Sequence, residues 1–263
     1  MTKGGGLQSL AATPASCSLL EITGLCHAFL HQGQTEPVLN NISLTIAPGE
    51  TVCLIGRSGS GKSTLLNLVA GFLQPAKGSI LLGGAPILKP GPDRCVVFQA
   101  DALFPWLTVR ENIGFGLRGA PWPHARRASE VSRFIELVGL QGYADYLPRA
   151  LSGGMKQRVA LARVLIRSPR LLLMDEPFAA LDAQTREEMQ ALLLRLAHER
   201  QQTLLFITHD VQEAVTIADR VLVLDRQSGA ISKEESIALD RPRDQTSAQF
   251  QAHCATLHQW LKA

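Results

Sequence analysis

No stretch of this chain approaches the roughly 18 to 20 consecutive apolar residues that a helix needs to cross a bilayer. Its leucine-rich segments are broken within a few positions by glycine, proline or charge, so a membrane-spanning chain is excluded at the level of sequence. Blocks of like charge are missing too. The 26 basic and 23 acidic residues are interspersed for a formal net charge of +3, which removes the case for a basic arm and for nucleic acid as a partner. Cysteine is sparse: Cys17, Cys26, Cys53, Cys95 and Cys254 are odd in number and far apart, so neither a disulfide framework nor a zinc site is indicated, and a reducing cytoplasm fits best. The segment between Gly6 and Cys17 lacks the apolar core of a secretory signal, and residues 1–17 read as a disordered tail. What is plentiful is aliphatic side chain: 46% of the 263 residues are hydrophobic, enough for one large domain or two modest ones.

Periodicity begins at Ser18. LLEITGL and ISLTI read as strands with HQGQTEP as a turn-rich loop between them, and APGE turns into the strand TVCLI. A helix is expected from Lys62, closed by Gly71, followed by short strands at SILL and VVF. From about residue 100 to 155 strand alternation disappears, and prolines punctuate segments of helical spacing such as Ala125–Val138. This reads as an inserted helical subdomain. Beyond it, the pattern predicts helices at about Lys156–Arg167, Gln184–Glu199 and Val211–Ala218. These alternate with strands at Leu171–Met174, Thr203–Ile207 and Arg220–Leu224. Alternation of this kind implies an α/β domain with a largely parallel core sheet. After Ser228 the chain is short and mixed, with a tail over about 240–263 and a helix at Ser247–Leu261.

The chemistry-bearing motifs fall at the ends of predicted strands. GRSGSGKS, Gly56 to Ser63, matches G-x-x-x-x-G-K-[ST] between a strand and a helix, the context in which glycines let consecutive backbone N–H groups cradle a phosphate at a helix N-terminus. On this reading Gly56, Arg57, Ser58, Gly59, Ser60, Gly61, Lys62, Ser63 and Thr64 contact nucleotide. Lys62 sets a point charge on the β- and γ-phosphates, and Ser63 ligates magnesium. LLLMDEP, Leu171 to Pro177, ends an apolar strand in two carboxylates: Asp175 to hold magnesium, Glu176 to direct the attacking water.

Between these motifs stands LSGGMKQ, Leu151 to Gln157, and directly after the second comes FAALD, Phe178 to Asp182. A phosphate loop, an LSGG and an apolar strand ending in Asp-Glu, in that order, identify the chain as resembling the ATP-binding cassette (ABC) family over nearly its whole length, residues 18–263. The resemblance implies a P-loop, RecA-like core with an antiparallel β subdomain. It implies ATP and Mg2+ as cofactors, and a homodimer in which each ATP lies between the phosphate loop of one copy and Ser152, Gly153 and Gly154 of the other, with Asp182 at the same interface. It also implies His209, in FITHD, as a γ-phosphate contact and catalytic group beside Glu176 and Lys62. Gln99, in VFQ, would serve as both magnesium ligand and catalytic group, and Phe29, with His27 adjacent, would stack on adenine. Gly is frequent in the family where Ala179 stands, and Gln where Met155 stands; neither change removes a phosphate ligand.

Three functions compete: the ATPase subunit of a transporter, a soluble ABC ATPase, and an unrelated phosphate-loop enzyme. LSGGMKQ and FAALD tell against the last. A soluble cassette usually carries a second cassette or a coiled-coil insertion, and neither is present. PW followed by TVxxNI, with GPDRCVVFQ and LNLVAGF, resembles the nitrate, sulfonate and taurine importer cassettes, although Cys95 stands where Gly is frequent. The expected partners are a transmembrane permease and a periplasmic solute-binding protein, at the cytoplasmic face of a bacterial inner membrane. Taurine or another alkanesulfonate is the first choice of solute, then nitrate, then a thiamine-precursor pyrimidine. The apolar cluster Phe104, Pro105, Trp106 and Leu107 reads either as a docking surface or as buried packing.

Overall fold

A computed structural model of the protein describes residues 18–31, 34–98, 102–119 and 121–262. The chain runs β1 (Leu20–His31), β2 (Gln34–Ile46), β3 (Thr51–Ile55), α1 (Lys62–Ala70), β4 (Lys77–Leu82), β5 (Ala85–Pro86) and β6 (Arg94–Val97). Helices α2 (Val109–Phe115), α3 (His124–Leu137) and α4 (Gly153–Leu165) follow. Strand–helix alternation then returns with β7 (Leu171–Asp175), α5 (Ala183–Arg200), β8 (Thr203–Ile207), α6 (Val211–Ile217) and β9 (Arg220–Leu224), before β10 (Ile231–Ser236) and α7 (Ala248–Lys262).

Two sheets form. An antiparallel one has the order β2-β1-β4-β5. The other has six strands in the order β10-β9-β3-β8-β7-β6, parallel throughout except for β10. The parallel strands are continuous apolar runs because both faces are covered. Along β3, Val52 and Leu54 join a core shared with α1 and the antiparallel sheet, whereas Cys53 and Ile55 join the core built by the helices. Leu171 and Leu173 alternate with Leu172 and Met174 in the same way along β7. The α/β class with a mostly parallel core and a separate antiparallel sheet is as the sequence implies.

Several boundaries differ from the sequence reading, each for a local reason. Of the segment read as a loop, Gln34 to Pro37 instead continue β2, pairing with His31 to Ala28 of β1. Helix α4 begins at Gly153, not near Lys156, because the Ser152 hydroxyl accepts a hydrogen bond from the Met155 amide at 3.3 Å and caps the helix one turn earlier. The chain after Ser228 holds a strand, β10, antiparallel to β9 with mostly polar exposed residues. Helix α7 buries Phe250 and Leu257 completely. At about 1.5–3 kcal/mol for each such side chain, it is an integral part of the domain.

Gly71 ends α1 in the left-handed region at φ 82°, its amide reaching back to Asn67 and Leu68 carbonyls. A Cβ there would come within 2.6 Å of the Lys89 backbone. Gly71→Ala therefore combines left-handed strain with a backbone clash, and is expected to destabilise the fold by about 1–3 kcal/mol. The measurement is a denaturant midpoint, where an unchanged value would contradict the packing described.

Candidate functional site

Strands β3, β7 and β8 lie side by side, so the segments leaving their C-terminal ends share one rim of the sheet. In parallel α/β sheets this rim is where ligands bind. The first segment is the loop 56–61. Gly59 and Gly61 have φ of 75° and 98°, the region open to glycine. At Gly61 a Cβ would also sit 2.9 Å from Leu39 Cδ2. Gly56 is closed from below, where a Cβ would stand 2.5 Å from the Leu224 carbonyl oxygen. These constraints curl the chain so that α1 starts at Lys62 with its N-terminus turned to the rim.

Lys62 is buried, and its Nζ donates to the carbonyls of Gly56 (2.8 Å) and Arg57 (3.1 Å). Burial lowers its pKa, opposed by the charges of Glu176 and Asp175. Asp175 ends β7, and burial raises its carboxyl above the usual range. A hydrogen bond from the Ser63 hydroxyl counters that, Glu176 adds to it, and Lys62 opposes it. Ser63 and Asp175 thus lie near one another, two hard oxygen donors of the kind magnesium takes alongside substrate phosphates, so the residues fit the ion.

Glu176 has φ 46°, an uncommon region for a residue other than glycine. It is held there by its amide, which donates to Ile207 of β8 at 2.9 Å. The turn aims the carboxylate at His209, whose Nδ1 lies 2.9 Å from Oε2. A carboxylate only accepts, so Nδ1 carries the proton in this contact and Nε2 is left facing outward. Between these groups is a cavity of about 410 Å³ lined by Phe29, Val38, Ser58 to Thr64, Glu176 and His209. Phe29 is 42% exposed and meets His27 edge-on at 4.9 Å. His27 Nδ1 is 3.1 Å from the Gln74 carbonyl oxygen.

The remaining candidates lie elsewhere. Gln99 falls outside the described residues. Arg57 lies in the loop, but its side chain turns away from the cavity toward the end of α7. Ser152, Gly153, Gly154 and Asp182 do not line the cavity either; they gather where α4 and α5 begin. A Cβ on Gly154 would run into Thr185, whose amide and hydroxyl both bond the Asp182 carboxylate, at 3.0 and 2.8 Å. Asp182 caps α5, and these bonds hold its carboxyl below the usual range. A larger cleft of about 940 Å³ opens at the opposite ends of the strands, near Thr51, Gln202 and Asp219, and contains no motif residue.

Sequence reasoning missed two groups. Asn112 is fully buried and pins residues 104–108: its Oδ1 accepts from the Phe104 amide at 2.9 Å, and its Nδ2 donates to the carbonyls of Phe104, Leu107 and Thr108. The NI of TVxxNI was the available signal. Trp106 consequently stands out at 71% exposure while Phe104 packs on Phe115 at 4.4 Å, so the apolar cluster is split between exposed surface and packing. The second is Glu213, in the first turn of α6 behind His209. It accepts from Gln190 at 3.1 Å, and burial raises its carboxyl, which Thr208 and Gln190 counter, Asp210 reinforces and Arg186 opposes. A raised pKa means the folded state holds more protons than the unfolded one between the ordinary glutamate range and the raised value, so stability falls as pH climbs through that window. Glu213→Gln is expected to flatten this slope in melting temperatures taken from pH 4 to 8; an unaltered slope would place the titration elsewhere.

A glycine loop opening a helix, a carboxylate across from it two strands away in the same sheet and a parallel sheet beneath define a P-loop nucleoside triphosphatase. Residues 39–179 match the family model described as ABC transporter. The nitrate import ATP-binding protein NrtD of Synechocystis sp. is 46% identical over 231 residues, 86% of this chain and 87% of that protein. The taurine import ATP-binding protein TauB of Pelagibacter ubique is 47% identical over 206 residues, 78% of each. A solved structure described as a dimeric post-hydrolysis state of the ATP-binding cassette MJ0796, bound to ADP and Pi, superposes with a TM-score of 0.73 at 29% identity, covering 84% of this chain and all of that one. The chain belongs to the ABC transporter family, as an ATP-binding subunit and ATPase.

Proposed function

We propose that the protein energises a bacterial importer of a small anion by hydrolysing ATP between two copies of itself. The single observation that carries this reading is the division of the motif residues into two groups. The phosphate loop, Glu176 and His209 share one cavity, and Ser152, Gly153, Gly154 and Asp182 lie outside it. The second group exposes Ser152 and Gly153 at a helix N-terminus, with Gly154 buried behind them, suited to a phosphate that this copy does not itself hold. One chain thus presents two half-sites, and a second copy completes each.

In that arrangement the loop amides and Lys62 bind the phosphates, and Phe29 stacks on the base. Ser63 and Asp175 would hold magnesium, with Gln99 as a further ligand; the ion would neutralise charge on the β- and γ-oxygens. Glu176 orients the attacking water and takes its proton. His209, fixed by its Nδ1 contact with Glu176, presents Nε2 to the γ-phosphate. Negative charge developing on the phosphoryl oxygens meets Lys62 and backbone dipoles already in place. Among the described residues no helix is long and apolar enough to cross a membrane, so a permease would supply the pathway, with Trp106 and its neighbours as the docking surface and a solute-binding protein delivering the solute.

A sulfonate such as taurine leads as solute, followed by nitrate, in line with relatives named for each, then a thiamine-precursor pyrimidine. The chain reconstituted with its permease in vesicles should show ATPase activity stimulated by a solute-binding protein loaded with taurine. Stimulation by nitrate alone would reassign the solute. Failure to associate with any permease would favour a soluble ABC ATPase instead.

A further inference from the structure

Arg57 behaves unlike its neighbours in the phosphate loop. Its Nε donates to the carbonyl of Leu261 at 2.9 Å and its Nη2 to that of Lys262 at 2.8 Å, bridging about two hundred residues of sequence. Carbonyls in the last turn of a helix lack donors from their own helix and carry its negative end, so a guanidinium placed there is favoured. The other end of Arg57 is tied into the loop: its own carbonyl accepts from the Ser60 amide and from Lys62 Nζ, both at 3.1 Å. Helix α7 is not free to follow the loop. Phe250, Cys254 and Leu257 are in the core, and His253 Nδ1 meets Glu235 of β10 at 2.8 Å. Between loop and helix lies a cavity of about 620 Å³, bordered by Arg57, Arg226, Lys233 and Trp260, so the guanidinium spans an open gap.

We propose that the last turn of α7 holds the phosphate loop in its nucleotide-ready shape through Arg57. Arg57 is on this account a positioning residue: its side chain fixes the carbonyl that holds Lys62, and α7 belongs to the nucleotide-binding apparatus. The inference rests on the loop being the nucleotide site. Its physical basis is preorganisation, since a loop already restrained loses less freedom when phosphate binds.

The test measures ADP affinity of the purified full chain, of Arg57→Met, of Arg57→Lys, of a chain shortened to end at Gln259, and of the shortened chain carrying Arg57→Met. Arg57→Met and the shortening should each weaken ADP binding about fivefold, and together no more than either alone, because both cut one link. Arg57→Lys, which keeps one donor to the helix end, should fall between. A double effect near the product, about 25-fold, would mean independent actions, and unchanged affinities would mean no action; either overturns the proposal. Should the shortened chain not fold, Trp260 provides a second measurement. In a Trp106→Phe, Trp122→Phe background its fluorescence should shift on adding ADP, and Arg57→Met should abolish the shift, whereas a shift that persists defeats the proposal. Failure of the unaltered chain to bind ADP would instead overturn the nucleotide-site reading itself.

Discussion

Glu176→Gln is expected to lower ATP turnover by about a hundredfold to a thousandfold, in the range of a lost general base, while ATP binding stays within about twofold. The geometry makes this a clean substitution. A glutamine occupies the same volume, its amide N–H can still donate to Ile207, and its side-chain oxygen can still accept from His209 Nδ1. Only the negative charge and the basicity disappear. The left-handed φ of Glu176 is imposed by the turn between β7 and the following loop, so it is unaffected by what the side chain ends in. With hydrolysis blocked and ATP still held, the two copies should remain closed. Phosphate release gives the rate, and gel filtration with ATP gives the dimer. Undiminished turnover would remove Glu176 from the role assigned to it.

Ser152→Arg should have the opposite signature on association. Ser152 does not line the nucleotide cavity, so affinity for nucleotide in a single copy should be unaltered. Steady-state turnover should fall at least a hundredfold, and cooperativity in ATP should vanish, because a guanidinium stem would fill the space a partner's phosphate requires. The substitution also removes a helix cap, worth about 1 kcal/mol and a fall of about 2–4 °C in melting temperature for a domain of this size. Ser152→Ala separates the two effects: it loses the cap equally but adds no bulk, so it should match the melting temperature and retain far more activity. An arginine variant with more than half the original turnover would place nucleotide hydrolysis within one copy.

The core of the fold was legible because its strands are buried on both faces. Past a leading Thr or Arg, TVCLI, LLLM, TLLFI and RVLVL are apolar, and a sheet covered on both faces is the environment that accepts such runs most readily. The extension of β2 at Gln34 to Pro37 was not legible, since its residues are exposed and polar and pair only because β1 runs alongside. Strand β10 escaped for the same reason: ISKEES has little apolar face to announce it, and β9 supplies its hydrogen bonds. Asn112 and Glu213 illustrate a further limit, because a buried polar side chain is recognised by its partners, and those partners come from other segments.

What the sequence by itself determined was the inventory of the phosphate site and its order along the chain. Glycines at 56, 59 and 61, a lysine at a helix start and carboxylates at a strand end have a chemical meaning that depends on spacing of only a few residues. Tertiary structure decided which of these groups meet. It brought His209 to Glu176 across β7 and β8, separated Ser152 and Asp182 from the cavity, and turned Arg57 away from that cavity toward α7. Spacing within a motif is set by local backbone geometry, whereas contact between motifs is set by strand order and helix packing, which only the folded sheet establishes.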